Sequence, residues 1–266
     1  MSQARFSVRT AVAEGFGFWR ANVLKAIGPL LIAATAGVAA TLVDRRFALA
    51  ALGTNFLALV MAQGALYRIS LGGPDSQVTG RRGPLGFQWG WLESRLALVI
   101  VLLFLTPAFA AIILVFLLVV ALLGFAGGDA AMSATSPDEL MAGLSPAASI
   151  AFNVGVFLAF GALLALIMRL AMVAPSTVAN GRVQFLSTLG LTRGSVLRLA
   201  LATLLANLPI FALQGMAWAY IQLTDSPGLV PWVDGVATAL TPILFIPVSV
   251  GMMSYIYLRL REGADQ

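Results

Sequence analysis

Residues 169–198 read RLAMVAPSTVANGRVQFLSTLGLTRGSVLR, with four arginines, Arg169, Arg182, Arg193 and Arg198, and no acid. Apolar runs flank this stretch at 148–174 and 196–223. Each is longer than the roughly 20 residues a helix needs to cross about 30 Å of hydrocarbon. A basic connection between two such runs marks one face of a multi-pass membrane protein, because Lys and Arg are held back on the side from which spans insert.

Working outward, the same length criterion gives six spans, at 23–43, 47–69, 96–125, 148–174, 196–223 and 233–258. They predict an all-α integral membrane protein with six transmembrane helices and one polytopic domain over 1–266. Composition agrees. Hydrophobic residues make up 60% and charged residues 10% of the chain, with mean hydropathy +0.94, against roughly 45–50% and about 25% in soluble domains. No stretch is polar for long enough to build a soluble domain.

Fourteen of the sixteen Lys and Arg residues fall in 1–25, 68–95, 169–198 and 259–266. The alternate side holds only Arg45 and Arg46, together with Asp44, Asp129, Asp138, Glu139, Asp225 and Asp234. This bias predicts cytoplasmic N- and C-termini. The apolar run from Val23 is too long and starts too late for a cleavable signal, so an uncleaved first span is expected.

There is no cysteine and no histidine, which removes thiol nucleophiles, imidazole bases and the commonest transition-metal ligands. No acid is expected inside a span, and Lys25 is the only lysine. A hydrolase needs a base, a nucleophile or a metal, and a coupled carrier an ionisable relay. The reading is therefore not an enzyme, with no catalytic residue, metal or cofactor. The net charge of +5 is spread among spans, so its expected partners are anionic membrane lipids rather than nucleic acid.

Three shorter segments introduce pairs of spans. Residues 1–22 place Val8, Ala11, Val12, Phe16, Phe18 and Trp19 on one arc, as in a helix lying in the membrane interface, with Phe6 off the arc and Gly15 and Gly17 weakening it. Residues 182–192 place Val183, Phe185, Leu186 and Leu189 opposite Gln184, Ser187 and Thr188. Residues 83–93 carry Phe87, Trp89 and Trp91 at headgroup level without a helical wheel. FGFWRANVLK at 16–25 aligns without gaps on LGLTRGSVLR at 189–198, and LGFQW at 85–89 begins alike. The implied architecture is three interfacial-helix-plus-hairpin repeats.

The sixfold spacing Arg169, Pro175, Gly181, Ser187, followed by Leu191-Thr192-Arg193-Gly194 leading into a span, resembles the membrane domain of bacterial glycerophosphoryl diester phosphodiesterases. The closing Tyr255-Ile-Tyr257-Leu-Arg259-Leu-Arg261-Glu262-Gly263 is similar to the end of that domain, which also has free-standing uncharacterised inner-membrane relatives. The resemblance implies a six-helix bacterial inner-membrane domain. It implies no reaction, since phosphodiesterase chemistry in such fusions belongs to a separate soluble barrel.

The candidate lipid- or anion-binding residues are Arg169, set about five residues before its span's end, and Arg182, Arg193 and Arg198, within a collar shared with Arg20, Lys25, Arg81, Arg82 and Arg95. Snorkelling and topology determination need the same charges. Pro175, Pro209, Pro242 and Pro247, with Pro29 and Pro107, are helix-break or packing positions that free backbone carbonyls for neighbours, water or a substrate. Gln63, Asn153, Asn207 and Gln214 are expected to bond between helices, and Gly155, Ala159, Gly161, Ala162 and Ala165 to allow close packing. Two readings follow: a non-catalytic, lipid-associated scaffold or partner subunit, with a protein partner or homo-oligomer allowed; or a transporter or flippase-like carrier of a lipid or apolar solute, using the spans broken at Pro209 and Pro242 beside Arg169.

Overall fold

The computed structural model describes residues 6–42, 45–72, 84–126, 139, 144–224 and 230–264. Among them every regular element is helical, and six helical stretches, 8–41, 46–71, 91–125, 146–180, 196–224 and 232–263, are long and apolar enough to cross a membrane. The protein is an all-α, multi-pass membrane protein. In order, its helices are α1 (Val8–Asn22), α2 (Ile27–Leu42), α3 (Arg45–Leu71), α4 (Trp91–Ala126), α5 (Pro146–Leu170), α6 (Val173–Asn180), α7 (Ser187–Leu191), α8 (Val196–Thr224), α9 (Val230–Leu240) and α10 (Ile246–Ala264). A 3₁₀ turn at Val23–Ala26 joins α1 to α2, another lies at Pro84–Gly86, and a π-helical turn at Thr241–Phe245 joins α9 to α10.

The chain divides into two compact units, residues 1–100 with 169–266, and residues 101–168. In the first, α2 and α3 form a hairpin, α1 lies along α10, α10 packs on α3, and α9 on α2. Lipid tails are as apolar as leucine, so small side chains and hydrogen bonds must hold such helices together. The α2–α3 hairpin shows both: Asn55 Nδ2 donates to the Ala33 carbonyl across the pair at 2.6 Å, and a Cβ at Gly37 would lie 3.0 Å from that nitrogen. Leu30, Leu66, Leu96, Leu170, Leu199, Met252 and Ile256 fill the centre of this unit.

In the second unit, the segments of α4 and α5 turn Phe104, Phe109, Phe116, Phe157 and Phe160 outward. A helix apolar all round suits lipid. A Cβ at Gly155 would lie 3.7 Å from Leu118, but one at Gly161 would meet nothing within 4 Å. Gly161 and Ala162 are exposed, while Gly155, Ala159 and Ala165 are half-buried, so the close packing expected of that small-residue stripe does not extend to Gly161 and Ala162.

The span expected over 148–174 lies within the stretch 146–180 but is interrupted near its end. The chain turns at Ala171–Met172 and restarts as α6. Pro175 accounts for the position of this break: it has no N–H for the carbonyl of Ala171, four residues back, and its ring crowds that carbonyl. In the first turn of α6 the proline is buried and tolerated. Residues 182–192 hold only the five-residue helix α7, and the two expected faces are not separated by burial: Val183, Leu186 and Ser187 are exposed, Gln184, Phe185 and Leu189 half-buried, and Thr188 buried. Next to lipid the apolar chain belongs outside, and the hydroxyl needs a protein partner.

Helix α1 packs against the rest of its unit. Its buried residues are Ala11, Gly15 and Asn22, with Phe6 buried beside it, and it rests on α10. The glycines make the contact possible. A Cβ at Gly15 would come 2.8 Å from the Val248 carbonyl, and one at Gly251 would come 2.5 Å from Phe18 Cβ. The aligned decapeptides adopt different backbones: residues 16–25 run from α-helix into a 3₁₀ turn, whereas 189–198 pass through a turn with Gly194 at φ 79° before α8 begins. Segment 84–90 is a 3₁₀ turn followed by non-helical chain.

Candidate functional site

The basic end of the first unit concentrates its polar chemistry. Glu93, in the first turn of α4, is fully buried, and Arg68, in the last turn of α3, is 11% exposed. Arg68 Nη1 contacts Glu93 Oε1 and Nη2 donates to Oε2 at 3.0 Å, a two-pronged pairing in which each charge also sits at the favourable end of its own helix dipole. Gln88 Nε2 donates to Oε1 at 3.4 Å. Gly64, one turn before Arg68, leaves the room: a Cβ there would lie 2.7 Å from Oε1. Glu93, expected in an interfacial segment, is thus buried inside a spanning helix. Neither member of the pair stood out in the sequence, because the partners are 25 positions apart and each looks like an ordinary boundary charge.

Beside this pair runs a seam of hydroxyls and amides. Ser70 of α3 and Ser254 of α10 lie 2.7 Å apart. Asn180, closing α6, donates to the Tyr257 hydroxyl at 3.1 Å and to the Ser176 carbonyl at 2.8 Å. Gln184 Oε1 accepts from Ser176 Oγ at 3.2 Å and Ser187 Oγ at 3.0 Å, and Thr177 Oγ1 accepts from the Gln184 N–H at 3.3 Å. Thr192 is fully buried, its hydroxyl 3.3 Å from the Thr188 carbonyl of its own turn and 3.5 Å from the Arg169 carbonyl near the end of α5. The polar side chains of 173–195 are therefore largely bonded inward.

The basic rim lies outside that seam. Arg169, Arg182 and Arg193 are exposed, as are Arg20 and Lys25, while Arg198 and Arg95 are half-buried. Lys25 Nζ donates to Asn22 Oδ1 at 2.7 Å. The Arg95 guanidinium lies 3.9 Å from where a Gly181 Cβ would stand, at the carbonyl end of α6, where a cation is favourable. Leu24, Trp89, Trp91, Leu186 and Leu197 are exposed on the same segments. Arg81 and Arg82 lie outside the described residues.

The prolines separate into two kinds. Pro209 is within α8 and exposed, whereas Pro242, in the π-helical turn, and Pro247, at the start of α10, are buried. Pro247 has no N–H for the Ile243 carbonyl four residues back, and the Trp19 indole of α1 donates to that carbonyl at 3.1 Å. The broken sixth span is thus the dock for α1. Asn153 and Asn207, expected to bond between helices, instead donate to the carbonyls of Ser149 at 2.8 Å and Thr203 at 2.7 Å in their own helices. Among the described residues, Gln214 has no hydrogen-bond partner. It is one of the residues around a recess of about 340 Å³ between α8 and α9, whose wall, Gln214 included, is almost wholly apolar.

Burial and bonding thus divide this end into a closed polar seam and an exposed rim of arginines and large apolar side chains. No protein-family model matches the chain, and neither does any curated protein or solved structure.

Proposed function

We propose that this is a non-catalytic protein of the bacterial cytoplasmic membrane, with both termini inside, that serves as a scaffold or partner subunit holding anionic lipid around its basic end. We group it with the free-standing relatives of the glycerophosphoryl diester phosphodiesterase membrane domain that its 169–198 and 255–263 segments resemble. One observation supports the reading above the others: Arg182 and Arg193 point outward beside exposed Leu186 and Leu197, while Gln184, Thr188 and Thr192 of the same segment are bonded or buried beneath them. Outward charge interleaved with outward apolar chains matches a leaflet surface, where each cation near anionic lipid contributes about 1 kcal/mol.

The carrier reading needs the broken spans to expose backbone to a solute. Against it, Pro242 and Pro247 are buried and Trp19 occupies the Ile243 carbonyl. The test is native mass spectrometry of protein released from nanodiscs of mixed phosphatidylglycerol and phosphatidylcholine. Exposed Arg169 should matter more than half-buried Arg198, so Arg169→Leu should lower retained phosphatidylglycerol more than Arg198→Leu, and Arg169→Leu with Arg182→Leu and Arg193→Leu should lower it further. Retention unchanged in the triple variant overturns the proposal.

A further inference from the structure

Arg95 is half-buried on α4 and, among the described residues, has no counter-ion and no hydrogen-bond partner. Its guanidinium lies 3.9 Å from where a Gly181 Cβ would stand. Glu93, two positions back, falls on another face of the helix and is paired with Arg68. Gly181 closes α6 in the left-handed conformation, φ 62°, and the next Cα, about 3.8 Å on, is that of Arg182. Arg182 is exposed and, among the described residues, equally unpaired. The fold thus brings two arginines from distant parts of the chain to one glycine. Like charges this close repel until an anion joins them.

The neighbours of Arg95 on α4 indicate which anion. Trp91, Arg95 and Leu98 stand four and three residues apart and share one face, and Trp91 and Leu98 are 81% and 51% exposed. Arg95 lies about 6 Å beyond Trp91 along the axis, and Leu98 about 4.5 Å further. An indole suited to headgroup level, then a cation, then an alkyl side chain follow the order of a phospholipid read from its headgroup inward. A soluble anion would use the cation and leave both apolar neighbours without a role.

We propose that Arg95 and Arg182 clamp the phosphate of a single phospholipid at Gly181, with its glycerol beside Trp91 and the start of one chain along Leu98. The site rests on the reading of the basic end as a holder of anionic lipid, and narrows it. The rim attracts lipid through net charge, whereas here one phosphate accepts hydrogen bonds from two guanidinium groups, whose planar forks match phosphate oxygens. Gly181, without a side chain, leaves the approach to Arg95 open.

The probe is dimyristoyl phosphatidylglycerol, added to delipidated full-length protein in a nonionic detergent, with adducts counted by native mass spectrometry as collision energy rises. Wild type should keep one lipid after the others have left. Gly181→Asp sets a carboxylate against Arg95, and Gly181→Asn sets a neutral side chain of the same size there; both residue types tolerate the left-handed backbone. Gly181→Asp should lower occupancy by the last lipid about tenfold, the effect of losing one charge-assisted hydrogen bond, while Gly181→Asn should keep most of it. Arg95→Leu should match Gly181→Asp, and Arg95→Lys, a point charge without the fork, should fall between. Arg169→Leu changes net charge by the same amount as Gly181→Asp; it should lower the total number of adducts and keep the last. Equal behaviour of Gly181→Asp, Gly181→Asn and Arg169→Leu overturns the site and leaves the reading of the rim standing. A wild type that holds phosphatidylglycerol no longer than phosphatidylcholine, whose choline cation would stand against the arginines, overturns both. Displacement of the last lipid by inorganic phosphate assigns the arginines to a soluble phosphate and overturns the lipid site.

Discussion

Glu93 and Arg68 form the pair whose loss should be most visible at the scale of single side chains. Breaking a buried ion pair leaves one charge without compensation and costs about 3–5 kcal/mol. Glu93→Ala should therefore lower the midpoint of thermal unfolding in detergent strongly, while Glu93→Gln, which keeps a hydrogen-bond acceptor for Arg68, should lower it less. The glycine behind the carboxylate provides a sharper check. A methyl at Gly64 would intrude on Glu93 Oε1, and overpacking of this kind costs about 1–3 kcal/mol, so Gly64→Ala should destabilise although alanine is the better helix former. Gly161→Ala, with open space around it, should be neutral or slightly stabilising. Equal melting of the two glycine variants would show that the buried pair does not depend on the space at Gly64.

At the scale of elements, α1 is held by a reciprocal close approach with α10 and by one indole hydrogen bond. Trp19→Phe keeps an aromatic ring and removes the donor, leaving the Ile243 carbonyl without it at a cost of about 1–3 kcal/mol. Gly251→Leu drives a side chain into the position of Phe18. Both should loosen α1 while leaving the spans inserted, measured as faster amide exchange over residues 8–22 and earlier proteolysis at the basic end. Gly17→Ala, which meets nothing within 4 Å, is the matched control. Exchange over 8–22 unchanged in Gly251→Leu would mean that α1 is held by other contacts. Its amphipathic pattern was readable in the chain. Ala11, Phe18 and Trp19 of that apolar arc are buried or meet α10 and the turn before it; the part played by Gly15 was not readable, since it weakens the helix by itself and yet lets α10 approach.

At the scale of the molecule, six crossings with the basic connections on one side require that reporter fusions at residues 135 and 266 give opposite locations, with 266 cytoplasmic. A same-side result would refute an even number of crossings with this charge-based orientation. Arg45 and Arg46 begin α3 on the otherwise acidic side, so replacing both with Gln should leave the orientation unchanged or sharpen it. The fourteen remaining cations dominate the bias.

Hydropathy and length determined the all-helical, six-span character, because in hydrocarbon a chain must close its own backbone hydrogen bonds and a helix does so locally. Arg169, Arg182 and Arg193 were legible as outward charges for a similar reason: a charge beside an apolar span has few places to go. Tertiary structure alone decided which polar groups met one another. Glu93 found Arg68, Ser70 found Ser254, Trp19 found the carbonyl that Pro247 leaves free, and Gln214 found none among the described residues. Those outcomes depend on helix rotation and register, which in lipid are set by small-residue contacts and hydrogen bonds between distant segments rather than by the local hydrophobic pattern.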